Sequence, residues 1–256
     1  MRIPALADAV SIHALRFLVM WAAVSVAPLI GITGWYAGLF ANVMITGLAA
    51  WFMTRRGLWR STGMLTGWRS GAAALALLPF VFEAGSWLFP DGARHEAPGW
   101  LLWAATLLLV GLNEEMFSRG VVLSSLRTRY RPASAVAITG ALFGLQHLSA
   151  LVLTSRGIDD VLGNVVLSAT YGFALAAFQV RYAWLWPLAL IHGLADWSTI
   201  LAVDLHPDWF IVLLHLAFLG YGAWLLRPPR GHDGDQHGQP GWPRTPAVTT
   251  AQGVPD

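Results

Sequence analysis

Apolar stretches of about twenty residues follow one another along nearly the whole chain, and no other feature limits the fold as much. A hydrocarbon core of about 30 Å takes about 20 helical residues to cross. No soluble domain of useful size fits between these stretches. With 56% of residues hydrophobic and 12% charged, the composition lies outside the range of soluble globular domains. The expected fold is therefore all-α: a polytopic integral membrane helical bundle.

Hydropathy and punctuation place eight spans at about 11–32, 35–53, 71–89, 100–126, 133–153, 161–180, 183–203 and 208–226. Gly31 and Gly34 separate the first pair, and Pro90, Asp91 and Gly92 close the third span. Lysine is absent, so arginine alone carries the topological signal. With eight spans and a cytoplasmic N-terminus, Arg2, Arg55, Arg56, Arg60, Arg69, Arg127, Arg129, Arg131, Arg181, Arg227, Arg230 and Arg244 lie inside. Only Arg94 and Arg156 fall in outside loops, and a twelve-to-two split is what the positive-inside rule expects. Both termini are then cytoplasmic. Residues 1–226 form one transmembrane unit, while 227–256, rich in Pro, Gly, Gln, Asp and His, read as a disordered cytoplasmic tail in which His232 and His237 are solvated.

The absence of cysteine removes disulfides, zinc–thiolate sites and a cysteine nucleophile. The basic–aromatic interleaving of a nucleic-acid surface is missing, so no nucleic-acid partner is expected. The partners are the bilayer and whatever the site acts on.

Several side chains are expensive at the depth where the sequence puts them. Glu114, Glu115 and Arg119 fall near the middle of the fourth span, and each ionised group there costs roughly 2.5–3.5 kcal/mol. Glu115 and Arg119 are four residues apart in acid-before-base order and can pair within the helix. Glu114, turned by about 100° from Glu115, has no local counter-charge and is the candidate proton acceptor. The fifth span carries Phe143 and His147, with Gly140 and Gly144 on nearly the same face, which allows a close helix neighbour. The seventh carries His192 and Asp196, one turn apart, suited to proton transfer or oxyanion stabilisation. Taken singly, each group admits a bland role: helix glue for Glu114, Glu115 and Arg119, an interhelical hydrogen bond for His147, a buried polar pair for His192 and Asp196. Glu83 reads as a rim residue, His215 as packing, and Gln146, Asn164 and Gln179 as interhelical hydrogen-bonding groups.

Together these residues resemble three motifs of the CAAX protease and bacteriocin-processing family, also called Abi. Glu-Glu-x-x-x-Arg is met by Glu114, Glu115 and Arg119, Phe-x-x-x-His by Phe143 and His147, and His-x-x-x-Asn/Asp by His192 and Asp196. The resemblance spans about residues 100–200 and implies an intramembrane endopeptidase. It makes Glu114 the general base, His147 its partner in holding a water, and His192 with Asp196 the lining of an oxyanion site, with Glu115, Arg119 and Phe143 in support. Asp at 196 departs from Asn: a carboxylate donates no hydrogen bond unless protonated, which leaves orientation of His192 as its other role. A metal-free glutamate mechanism without cofactor is expected. The alternative is a zinc-like ion on Glu114, His147 and His192, with or without Asp196.

The substrate implied is a membrane-anchored protein or peptide, and the location an integral membrane one, the bacterial inner membrane in particular. Two other function classes fit the same residues: a non-catalytic scaffold or bacteriocin-immunity protein, and a proton-coupled transporter, whose relays also use buried carboxylates and histidines.

Overall fold

A computed structural model describes residues 4–228. The tail containing His232 and His237 lies outside the described residues. The helices are α1 (Ala5–Val26), α2 (Trp35–Arg55), α3 (Leu58–Ser61), α4 (Gly71–Leu75), α5 (Leu78–Ser86), α6 (Trp100–Glu115), α7 (Leu123–Leu126), α8 (Pro132–Leu145), α9 (Ala150–Leu153), α10 (Ile158–Tyr182), α11 (Leu185–Leu201) and α12 (Asp208–Leu225). A π-helical stretch, Met116–Val122, joins α6 to α7, and a 3₁₀ turn, Gln146–Ser149, joins α8 to α9. No strand occurs among the described residues; Ala93 and Ala202 form an isolated antiparallel bridge.

The breaks fall where the punctuation places them. Pro28 opens a last 3₁₀ turn after α1, and Gly31, with φ of 79°, terminates it in the left-handed region that glycine enters without a Cβ penalty. Ser70 caps α4, its hydroxyl accepting from the Ala73 amide at 3.1 Å. Pro132 starts α8 at the position where a missing N–H costs nothing.

Six helical stretches among the described residues are long and apolar enough to cross a membrane: Ala5–Ile30, Trp35–Arg55, Trp100–Leu126, Pro132–Leu153, Ile158–Tyr182 and Asp208–Leu225. The third expected span, 71–89, is shorter: it breaks between Leu75 and Leu78 and its helix ends at Ser86. The seventh, α11, has 17 residues, about 25 Å of rise. It packs chiefly on α6, and α8 packs on α10.

Glycines set both of those contacts. A Cβ on Gly111 of α6 would strike the Ala189 carbonyl oxygen and approach the Gly193 amide nitrogen to 2.5 Å, and one on Gly193 would meet the Leu107 carbonyl oxygen at 2.7 Å. Gly140 and Gly144 do the same on α8: a Cβ at Gly140 would reach the Phe173 nitrogen at 2.9 Å, and one at Gly144 would strike the Val165 carbonyl oxygen. Backbones this close bring the polar side chains of facing helices together. On the other side of α10 an aromatic core closes the bundle, with Phe80 stacked on Phe218 at 5.5 Å and edge-on to Tyr171 at 6.0 Å and Phe178 at 6.2 Å. At one end of the bundle, the Arg94 amide donates to the Leu201 carbonyl at 2.7 Å and the Val203 amide to the Gly92 carbonyl at 3.2 Å, tying the segment after α5 to the end of α11.

Candidate active site

Glu115 is the hub. It is fully buried at the end of α6, and its Oε1 receives Arg119 Nη1 at 2.8 Å, the pair expected within the helix. The same oxygen meets His192 Nδ1, from α11, at 2.9 Å. Arg119, also fully buried, donates Nη2 to the Gly172 carbonyl of α10 at 3.1 Å and lays its guanidinium over the Phe143 ring at 4.1 Å. One ion pair thus binds α6, α8, α10 and α11 together. The π-helical stretch starts at Met116, immediately after Glu115, and carries Arg119; insertions of this kind re-aim side chains and recur at functional sites.

Glu114 points to a different partner. The sequence offers it no local counter-charge, and the structure supplies a distant one: Arg16, in the middle of α1, donates Nη2 to Glu114 Oε1 at 2.6 Å, with both side chains buried. The other carboxylate oxygen, Oε2, lies 3.7 Å from His192 Nε2. His192 therefore stands between the two glutamates, its Nδ1 held by Glu115 and its Nε2 facing Glu114. Asp196 Oδ2 is 3.8 Å from the same Nε2, and the Asp196 side chain is 32% exposed. The contact that orients His192 is the one from Glu115, not from Asp196.

His147 sits in the 3₁₀ turn after α8, where its Nδ1 meets the Phe143 carbonyl at 3.0 Å. A carbonyl only accepts, so Nδ1 carries the proton and Nε2 is left with its lone pair. The ring lies within electrostatic reach of Glu114 and His192. Phe143 is the wall between them, edge-on to His147 at 5.4 Å and to His192 at 5.6 Å. The structure thus brings Glu114, Glu115, Arg119, Phe143, His147, His192 and Asp196 to one place.

Arg16 has no place in the sequence reading, and Glu83 departs from it. Arg16 is a charge in an otherwise apolar run, and that alone is a signal that a buried partner exists. Glu83, read as a rim residue, is buried at 8% exposure; Trp87 Nε1 donates to its Oε1 at 2.8 Å, and its Oε2 has no hydrogen-bond partner. Gln179 makes an interhelical bond as expected, donating to the Thr62 carbonyl at 2.8 Å. Asn164 instead accepts from Ser168 within its own helix at 3.1 Å. Gln146 faces His13 of α1, yet neither side chain closes a well-formed hydrogen bond.

A zinc-like ion needs three or four donors about 2.0–2.2 Å from one point. Among the described residues no group of three or more histidines, aspartates and glutamates is so gathered, and the Arg16 guanidinium occupies Glu114 Oε1. The alternative ligand set of Glu114, His147 and His192 is not assembled as a metal cage.

Fold and site define a polytopic helical protein with a glutamate–histidine centre enclosed by its helices. Residues 96–198 match the family model of the Rce1-like type II CAAX prenyl endopeptidases, which is consistent with the CAAX protease and bacteriocin-processing family. The match and the apolar helices point to an integral membrane peptidase acting on a membrane-embedded peptide or protein. Neither a curated protein nor a solved structure matches the chain.

Proposed function

We propose that the protein is an intramembrane endopeptidase in which Glu114 activates the attacking water. The observation that carries this reading is the division of labour on one carboxylate: Oε1 is held by Arg16 at 2.6 Å, while Oε2 is turned toward His192 and has no hydrogen-bond donor of its own. A water held between Oε2 and the lone pair of His147 Nε2 would give its proton to Oε2 as its oxygen bonds to the scissile carbonyl carbon. His192, held at Nδ1 by Glu115, would serve the carbonyl oxygen as an imidazolium, its Nε2–H donating as negative charge develops there. Glu115, Arg119 and Phe143 keep α6, α8, α10 and α11 in register.

The substrate is a membrane-anchored protein or peptide; the prenylated tails named for the matched family are one class to test. The arginine distribution supports eight crossings with both termini on the cytoplasmic side of a membrane such as the bacterial inner membrane. The test is cleavage of a pooled library of membrane-anchored tails, prenylated and unmodified, by purified protein, wild type against Glu114→Gln, with and without a strong chelator. Cleavage that needs Glu114 and survives chelation is the expected result. Cleavage lost to chelator and restored by zinc would refute the metal-free mechanism, and cleavage retained by Glu114→Gln would refute the assignment of the base.

A further inference from the structure

On the Asp196 side of His192 the bundle encloses a second group of polar side chains that the proposed hydrolytic chemistry does not use. Tyr171 of α10 sets its ring edge-on to His192 at 5.7 Å. Only 9% of the residue is exposed, and its hydroxyl has no hydrogen-bond partner. Glu83 of α5 is 8% exposed with Oε2 unpartnered. The phenol oxygen lies within electrostatic reach of Glu83 and Asp196, and Glu83 within reach of Asp196 and His192. Two buried polar groups without partners, from two helices, thus lie within electrostatic reach of the same partly exposed carboxylate. A buried polar group without a partner carries its desolvation cost uncompensated, so a ligand that meets both gains by binding there.

The chemistry of the pocket selects that ligand. Four carboxyl groups, Glu83, Glu114, Glu115 and Asp196, share the region with two guanidiniums, and each guanidinium is engaged by one glutamate, Arg16 by Glu114 and Arg119 by Glu115. What remains is rich in acceptors: Glu83 Oε2, the Asp196 carboxylate and the phenol lone pairs. An oxyanion has no place among them, but an N–H donor does. This also accounts for aspartate at 196, where a carboxylate suits a nitrogen better than an oxyanion.

We propose that Glu83, Tyr171 and Asp196 form a subsite for a substrate N–H group or ammonium, adjacent to the carbonyl-binding side of His192. The inference rests on the endopeptidase reading for its place in the reaction. When the water oxygen has bonded to the carbonyl carbon and its proton has passed to Glu114, the C–N bond breaks, nitrogen keeps the bonding pair and takes up that proton. The subsite holds the N–H groups of the amine so formed, or those of a basic side chain next to the scissile bond. Glu83 lies outside the segment matched by the family model.

The experiment compares wild type, Glu83→Gln, Tyr171→Phe and Glu114→Gln on three versions of one cleaved tail: the amide, the ester with oxygen in place of the scissile N–H, and a peptide in which basic residues flanking the bond are norleucine. Glu83→Gln and Tyr171→Phe should each lower amide kcat/KM by about tenfold or more. If the ester is spared, the scissile nitrogen occupies the subsite; if the norleucine peptide is spared, the basic side chain does. Equal losses on all three versions, or none, overturn the proposal. Retained cleavage by Glu114→Gln, or none by wild type, counts against the endopeptidase reading alone. A binding arm then decides the subsite: octylammonium should raise the melting temperature of wild type but not of Glu83→Gln, and octyltrimethylammonium, which has no N–H, should raise neither. Identical shifts for both probes or both proteins would overturn it.

Discussion

Replacing Arg16 by glutamine tests the part of the site that sequence reading overlooked. In the native protein Arg16 and Glu114 are 4% and 6% exposed and meet at 2.6 Å, so neither charge can recover water when the other is removed. Breaking a buried pair from one side costs about 3–5 kcal/mol. Here the cost should fall toward the lower end, about 3 kcal/mol, because His192 Nε2 remains 3.7 Å from Glu114 Oε2 and offers partial compensation. The half-exposed pair of Arg56 and Asp8, at 2.9 Å, is the internal control: its loss should cost about 0–1 kcal/mol. Stability is read from unfolding of the detergent-solubilised protein by a denaturing detergent, and activity from tail cleavage. Arg16→Gln should lower both, whereas Arg16→Gln combined with Glu114→Gln should recover about 2 kcal/mol of stability and no activity, since two amides can pair without charge. Arg16→Lys should restore part of kcat if the charge matters. If Arg16→Gln unfolds within about 0.5 kcal/mol of wild type and cleaves at the wild-type rate, the pair does not organise Glu114.

Glu115→Gln should be more damaging than Glu114→Gln in the same unfolding assay, because Glu115 Oε1 serves both Arg119 and His192 while fully buried; greater stability than Glu114→Gln would contradict its place as hub. Gly111→Ala and Gly193→Ala should each separate α6 from α11 and abolish cleavage, with Gly38→Ala, where a Cβ meets nothing within 4 Å, as the harmless comparison. Phe143→Leu removes the face under the Arg119 guanidinium and should cost about 2 kcal/mol or more in a desolvated setting, so an unchanged unfolding midpoint would show that the ring only fills space.

What was legible in the sequence was local. Glu115 with Arg119, Phe143 with His147, and His192 with Asp196 are each four residues apart, and a helix turns that spacing into adjacency whatever surrounds it. The glycines of α8 announced a close neighbour, and the structure supplies α10. The interhelical relations were not legible, because they depend on the depth and rotation of helices far apart in the chain: Arg16 and Glu114 are separated by 98 positions. Even so, an arginine inside an apolar run implies a buried partner somewhere in the fold. Glu83 lies three residues before the end of α5, where a rim position is expected, but its side chain turns inward and accepts from Trp87, a rotation that distance from the helix end does not reveal.

Arg16 and Glu83 both lie outside the segment that carries the motifs, and that explains why they matter. The motifs fall within residues 96–198, and that segment holds its own charges in check through Glu115 and Arg119. It leaves Glu114 and Asp196 exposed to whatever packs beside them. α1 answers the first with a cation at 2.6 Å. α5 answers the second with another acid, Glu83, whose free oxygen stays unpaired. A cation on Glu114 Oε1 fixes that carboxylate in place, while an acid near Asp196 makes a pocket rich in acceptors. On the proposed mechanism the flanking helices would divide the site into a side for the attacking water and a side for the departing nitrogen, and a variant in α1 should damage every substrate alike while a variant in α5 should discriminate between them.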